Sequence, residues 1–304
     1  MCGIFGVLSK TRPLGDAMGR TVLTMLEALA CRGPDSVGAA VIGDGGTDEN
    51  GIWSVRIAPD EERPLAQLAG LGEVVGSLER RGGTLHFGFR PAAGVTANDL
   101  ERGLGAHRGG VEVLSLGRRL DLIKRVGPPS GLESAYELTN WSGQVAVGHT
   151  RMSTESRIDL SHSQPFWVHG VPDMATVHNG HVTNYHQLRR RFEQRGATFY
   201  TDNDSEVIGV YLRSRLEQGR DLPQAMADSI ADLDGAYSYL VAAPEGLGIV
   251  RDRFGFKPLM LVETDDFVAV ATEEIALRRA LPVDYRVAEP PPGAVLFFPT
   301  PSTQ

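Results

Sequence analysis

Met1-Cys2-Gly3-Ile4-Phe5-Gly6-Val7-Leu8 opens the chain. Ile4, Phe5, Val7 and Leu8 read as a short buried strand, and they pin Cys2 and Gly3 at its start. Because the Cys2 side chain is small, removal of Met1 would expose it as the mature N-terminus. A terminal cysteine carries a thiol and a free α-amine, with reference pKa values of roughly 8.5 and 7.7–8.0, so each exchanges protons near neutrality. Nucleophile and base then reside in one residue. Taken alone, Cys2 reads more readily as a frayed end of no consequence. Gly3 permits a close backbone approach to a substrate, which favours the chemical reading.

Outward from this stretch, Leu14, Met18, Val22, Met25, Leu26 and Leu29 recur at helical spacing and predict one amphipathic helix ending near Cys31. A strand follows over 37–42. Residues 43–52 read as a loop, and about 45–140 as an inserted α/β subdomain. It has strands at 53–57 and 111–116, a helix over 64–80, alternation of Leu85, Phe87 and Phe89, and a helix capped by Thr96. The main pattern resumes at Val145. Strands are expected at 145–149, 174–178, 236–243, 248–251, 267–272 and 295–298, and helices after Asn184, after Asp204 and over 225–233.

The 304 residues carry 30 Lys+Arg against 38 Asp+Glu, a formal net charge of -8. That balance lowers the rank of nucleic acid as a partner. Two cysteines cannot form a disulfide framework or a Cys-rich metal centre. No run reaches the length of a membrane span, and the N-terminus lacks a basic leader, so neither membrane nor signal peptide is expected and the cytoplasm is the expected location. His178, His181 and His186 match no standard metal spacing, and the glycine clusters at 70–76 and 103–109 miss the dinucleotide-binding pattern. Cys31 reads as a small buried residue.

Four further clusters carry chemistry: Arg32-Gly33-Pro34-Asp35-Ser36, Gly148-His149-Thr150-Arg151-Met152-Ser153-Thr154, His178-Asn179-Gly180, and Thr201-Asp202-Asn203-Asp204-Ser205-Glu206. Singly they read as a polar turn, a strand-end arginine, a hairpin turn and a helix cap. Together with the opening they resemble the class II glutamine amidotransferases, which are N-terminal-nucleophile hydrolases. The resemblance implies an α+β fold: a four-layer αββα sandwich bearing the α/β insertion. It also implies a glutaminase in which Cys2 attacks the side-chain amide. Asn179 and Gly180 would hold the oxyanion, Arg151 and Thr154 the α-carboxylate end, and Asp204 the α-ammonium. Gly3, Arg32, Asp35 and His178 would be supporting residues, with Arg32 and Asp35 bracing their turn by a mutual hydrogen bond and His178 orienting the oxyanion element. Ser205 or Asp202 would cap the helix after Asp204.

The run 148–167 and the block 178–188 look most like glutamate synthase-like enzymes, in particular the free-standing glutaminase subunit of N-methylglutamate synthase. Asp234-Gly235-Ala236-Tyr237-Ser238 and the block 251–259 resemble further family segments. The chain reaches Gln304 just past the glutaminase-like unit. The expectation is therefore a subunit that passes ammonia to a separate synthase in a hetero-oligomer. No metal or organic cofactor is expected in this chain, and FMN and iron–sulfur clusters are expected only in partner subunits. Two alternatives stay open: another N-terminal-nucleophile amide hydrolase, or a non-catalytic subunit that only binds glutamine. The ammonia acceptor, the partner stoichiometry and the role of the insertion are not legible.

Overall fold

A computed structural model describes residues 2–43, 51–105, 110–153, 157–281 and 284–301. The chain begins with β1 (Gly3–Ser9), α1 (Arg12–Asp16), α2 (Met18–Leu29) and β2 (Ser36–Ile42). Next come β3 (Trp53–Ala58), β4 (Gly72–Arg81), β5 (Thr84–Pro91), α3 (Ala97–Gly103) and β6 (Glu112–Gly117). The middle contains β7 (Leu120–Val126), α4 (Leu132–Tyr136), β8 (Val145–Arg151), β9 (Phe166–Trp167), β10 (Ala175–Val182), α5 (Tyr185–Glu193), α6 (Asp204–Glu217) and α7 (Leu222–Asp232). It closes with β11 (Gly235–Ala243), β12 (Gly246–Arg251), β13 (Met260–Glu263), β14 (Phe267–Ala271), α8 (Glu274–Ala280) and β15 (Val295–Pro299).

Two sheets form the body, ordered β13-β14-β1-β8-β2-β7 and β15-β12-β11-β10-β9. Strand pairing within them is antiparallel. The two-residue period of a strand explains the layering. Ile4 and Leu8 of β1 face the second sheet, meeting Val177, Leu240, Leu247 and Ile249 in one buried cluster. Phe5 and Val7 point the other way, onto Met18, Val22, Met25 and Leu29 of α2 and Ala276 and Leu277 of α8. On the far side, Tyr237, Tyr239 and Val241 of β11 pack against Val207, Ile208 and Tyr211 of α6 and Met226 of α7. The layers are thus helix, sheet, sheet, helix: the αββα sandwich. No helix among the described residues is long and apolar enough to cross a membrane.

The inserted segment forms a third sheet, β4-β5-β3-β6. Its apolar residues Val55, Ile57, Leu85, Phe87 and Phe89 join the same cluster as the inter-sheet core. The helix predicted over 64–80 does not form. A short 3₁₀ turn over Arg63–Leu68 is followed by β4. Gly70, Gly72 and Gly76 have φ of 90°, 157° and 77°, backbone conformations that a right-handed helix excludes. The insertion also returns to the body sooner than 140, because β7 pairs with β2 along Leu120–Val126. The single helix expected from Leu14 is broken at Ala17 into α1 and α2.

Candidate functional site

Cys2 lies just ahead of β1, half-buried. Its thiol donates to the carbonyl of Met152, 3.7 Å away. Burial pushes the thiol pKa above its ordinary value. The Met152 contact and the positive charges of the chain start, Arg151 and Lys257 pull the other way without cancelling the burial. Gly3 sits opposite Thr150 in the β1–β8 ladder. A Cβ on Gly3 would lie 2.7 Å from Thr150 Oγ1 and 3.1 Å from Leu29 Cβ. The side of Gly3 that a Cβ would occupy is therefore filled by the protein's own atoms.

The turn at 32–36 braces the end of β8, but with other partners than expected. Arg32 Nη1 pairs with Glu273 Oε1 at 2.7 Å instead of with Asp35. Asp35 Oδ2 accepts from Ser153 N at 2.7 Å, and Asp35 N donates to the Arg151 carbonyl at 3.0 Å. Gly33 is required by this approach, since a Cβ there would stand 2.3 Å from the Arg151 carbonyl carbon. Arg151 is buried, and its Nη1 donates to the Arg157 carbonyl at 2.8 Å. Burial lowers its pKa, opposed by Cys2, Asp159 and Asp35. Thr154 lies outside the described residues. Cys31 is exposed rather than buried.

Asn179-Gly180 is not a hairpin turn and does not end a strand. Both residues lie inside β10, paired with Ser238 and Tyr237 of β11. Gly180 has φ 128°, and a Cβ would fall 2.1 Å from the Ala236 carbonyl oxygen, so only glycine fits. Asn179 is buried, and its side chain makes no hydrogen bond among the described residues. β10 packs against both β1 and β8, which bring Cys2 and Arg151.

Next to Asn179, His178 is locked from two sides. Its N–H donates to Gln164 Oε1 at 2.6 Å, and its Nδ1 lies 2.8 Å from Ser205 Oγ. Gln164 Nε2 donates in turn to Ser205 Oγ at 2.9 Å and to the His178 carbonyl at 3.2 Å. Burial lowers the His178 pKa, and that of His149 falls to about 3, so both rings are neutral.

Asp204 is the first residue of α6. Asn203 caps this helix by accepting from Ser205 N at 3.0 Å, in place of the expected Ser205 or Asp202. The Asp204 carboxylate accepts from Val182 N at 2.8 Å and stands 3.9 Å from His178 Nδ1. It is thereby anchored at the end of the strand that carries Asn179. Gln164, Lys257 and Glu273 were not singled out from the sequence. Each lies within a stretch that resembles a family segment, but no local pattern says which residue it serves.

The glutamine amidotransferase domain family matches residues 149–279. The chain is similar to a candidate glutamine amidotransferase of Methanothermobacter thermautotrophicus, with 35% identity covering 98% of this chain and 99% of that protein. It is similar to a glutamine amidotransferase-like protein of Rhizobium meliloti, with 33% identity covering 98% of each. In structure it resembles the glutamine phosphoribosylpyrophosphate amidotransferase of B. subtilis solved with ADP and GMP. The TM-score there is 0.64 at 20% identity, covering 98% of this chain and 47% of that one. That likeness concerns the fold, the αββα sandwich.

Proposed function

The chain belongs to the glutamine amidotransferases, and from that membership we propose that it hydrolyses glutamine to glutamate and ammonia through a thioester on Cys2. The observation that carries the reading is the meeting of Cys2 and Arg151 at the ends of β1 and β8, with β10 and its Asn179-Gly180 packed on both strands.

In this mechanism the amine of the Met1-processed chain takes the thiol proton, and the thiolate attacks the side-chain amide carbon of glutamine. The Asn179 amide and the Gly180 N–H receive the charge that develops on the carbonyl oxygen. Asn179 is suited to this because its side chain is committed to no other hydrogen bond among the described residues. The tetrahedral adduct collapses as the ammonium proton passes to the departing nitrogen, releasing ammonia. Water, activated by the same amine, then cleaves the thioester to glutamate. Arg151 grips the α-carboxylate, which offsets the cost of burying its guanidinium. Asp204 holds the α-ammonium, and Thr154 keeps the hydroxyl role that the motif suggests.

Replacing Cys2 by Ala, or leaving an uncleaved extension ahead of it, is expected to abolish ammonia release from glutamine. Activity surviving either change overturns the thioester. The ammonia passes to a separate synthase subunit, of the glutamate synthase or N-methylglutamate synthase kind. What supports this is the likeness of the run 148–167 and the block 178–188 to glutamate synthase-like enzymes. Copurification of a native complex tests it, and a chain whose glutaminase rate ignores every copurifying protein removes it.

A further inference from the structure

A second cavity, of about 540 Å³, lies on the outer helical layer, between α5 and α6 and away from Cys2. Leu188, Phe192 and Tyr211 supply its apolar lining. Three arginines, Arg191, Arg195 and Arg215, face it against one aspartate, Asp232. Arg215 is already spent. Its Nη2 lies 2.5 Å from Asp232 Oδ2, its Nε donates to Tyr211 Oη at 3.0 Å, and Tyr211 Oη donates to Asp232 at 2.7 Å. Arg191 and Arg195 are exposed and make no side-chain hydrogen bond or close ion pair among the described residues, and Arg191 acts on Asp232 only at longer range. Three guanidinium groups thus face the single Asp232 carboxylate, an excess of two positive charges in this cavity on a chain whose net charge is -8.

We propose that this cavity is an effector site for a small phosphomonoester. Two guanidinium forks match a phosphate group in geometry, and their charge matches the nearly two negative charges it carries at neutral pH. A single carboxylate would leave one arginine uncompensated. The volume falls within the range of small-molecule sites, and the apolar wall accepts the organic body of the ester. Asn184, Gln187 and Gln218 line the rim and supply amides to its polar edges. The site communicates with the first one through α6. Asp204 begins that helix, and Tyr211, Ser214 and Arg215 lie on its later turns. A ligand wedged between α5 and α6 therefore acts on the element that carries Asp204.

The test is calorimetric titration of the intact chain at fixed ionic strength with ribose 5-phosphate, AMP, inorganic phosphate and succinate. The esters are expected to bind saturably and more tightly than either phosphate or succinate. Arg191→Gln/Arg195→Gln is expected to weaken them at least tenfold without changing the melting temperature or the basal glutaminase rate. Binding no tighter than succinate, or unchanged in the double variant, overturns the site. Equal binding of inorganic phosphate overturns the ester. In the wild type, the ester should shift the glutamine KM by about fivefold, within the usual range of allosteric coupling. An unmoved KM with binding intact overturns the effector role. The titration requires no catalysis, so it stands apart from the glutaminase reading.

Discussion

The Cys2 thiol is under opposing influences. Burial raises its pKa, while Arg151 and Lys257 lower it. With the carboxylate of glutamine on Arg151, the chain start and Lys257 would be the cations that continue to favour the thiolate. Lys257→Met is expected to move the pH midpoint of Cys2 alkylation upward, since removing a nearby cation disfavours the anion. Cys31 is exposed and also reacts, so alkylation must be read on the Cys2 peptide by mass spectrometry. A midpoint that does not move would place Lys257 outside the site. Asn179→Ala tests the oxyanion role: a loss of about 10²–10³ in kcat with little change in KM is expected. A loss confined to KM would make Asn179 a substrate-binding residue instead. Cys2, Arg151, Asn179 and Asp204 were all legible as residues, because each belongs to a short motif. Their braces were not. Glu273 reaches Arg32 across 241 residues of sequence, and no local pattern announces such a partner.

At the scale of elements, the body strands and helices follow their hydrophobic periods closely. Alternation along β1 and β5, and the Met18, Val22, Met25 and Leu29 face of α2, leave one choice of face each. The segment 64–80 misleads because its apolar residues fit a helical period while its glycines impose left-handed backbone. Asn179-Gly180 misleads in the opposite sense. Its usual turn preference yields to β11, which pairs with β10 residue by residue through this stretch. The Gln164–His178–Ser205 network joins the loop before β9, strand β10 and helix α6. Gln164→Leu would strand the buried N–H and carbonyl of His178, leaving Ser205 Oγ only its bond to the His178 ring, and is expected to cost about 3 kcal/mol. Urea denaturation with an unchanged m-value would register it. A loss below about 0.5 kcal/mol would mean that the network is not holding β10 to α6.

The inserted sheet is tied to the whole by charge as well as by apolar packing. Arg56 of β3 makes a two-point pair with Asp121 of β7, both bonds 2.8 Å long. Glu101 of α3 stands 2.5 Å from His169 Nδ1 in the loop after β9. Burial disfavours the His169 imidazolium, but Glu101, helped by Glu206 and opposed by Lys124, holds its pKa above the ordinary value. The stabilisation from this pair is therefore fully present below about pH 6.5, the unfolded histidine value, and is lost as pH rises through the higher folded value. Glu101→Gln should remove that pH dependence. Denaturation midpoints of the wild type should fall relative to those of the variant as the pH rises above about 6.5. Parallel profiles would show that the pair does not titrate with folding.

From the sequence came the strand and helix periods and, through the resemblance its short motifs carry, the sandwich and a set of candidate site residues headed by Cys2, because period, turn chemistry and short motifs are local properties. Only the tertiary structure decided which groups brace them, where the insertion rejoins the body and that two arginines face a cavity unpaired. Those facts depend on contacts between segments far apart in sequence, which a one-dimensional pattern does not encode.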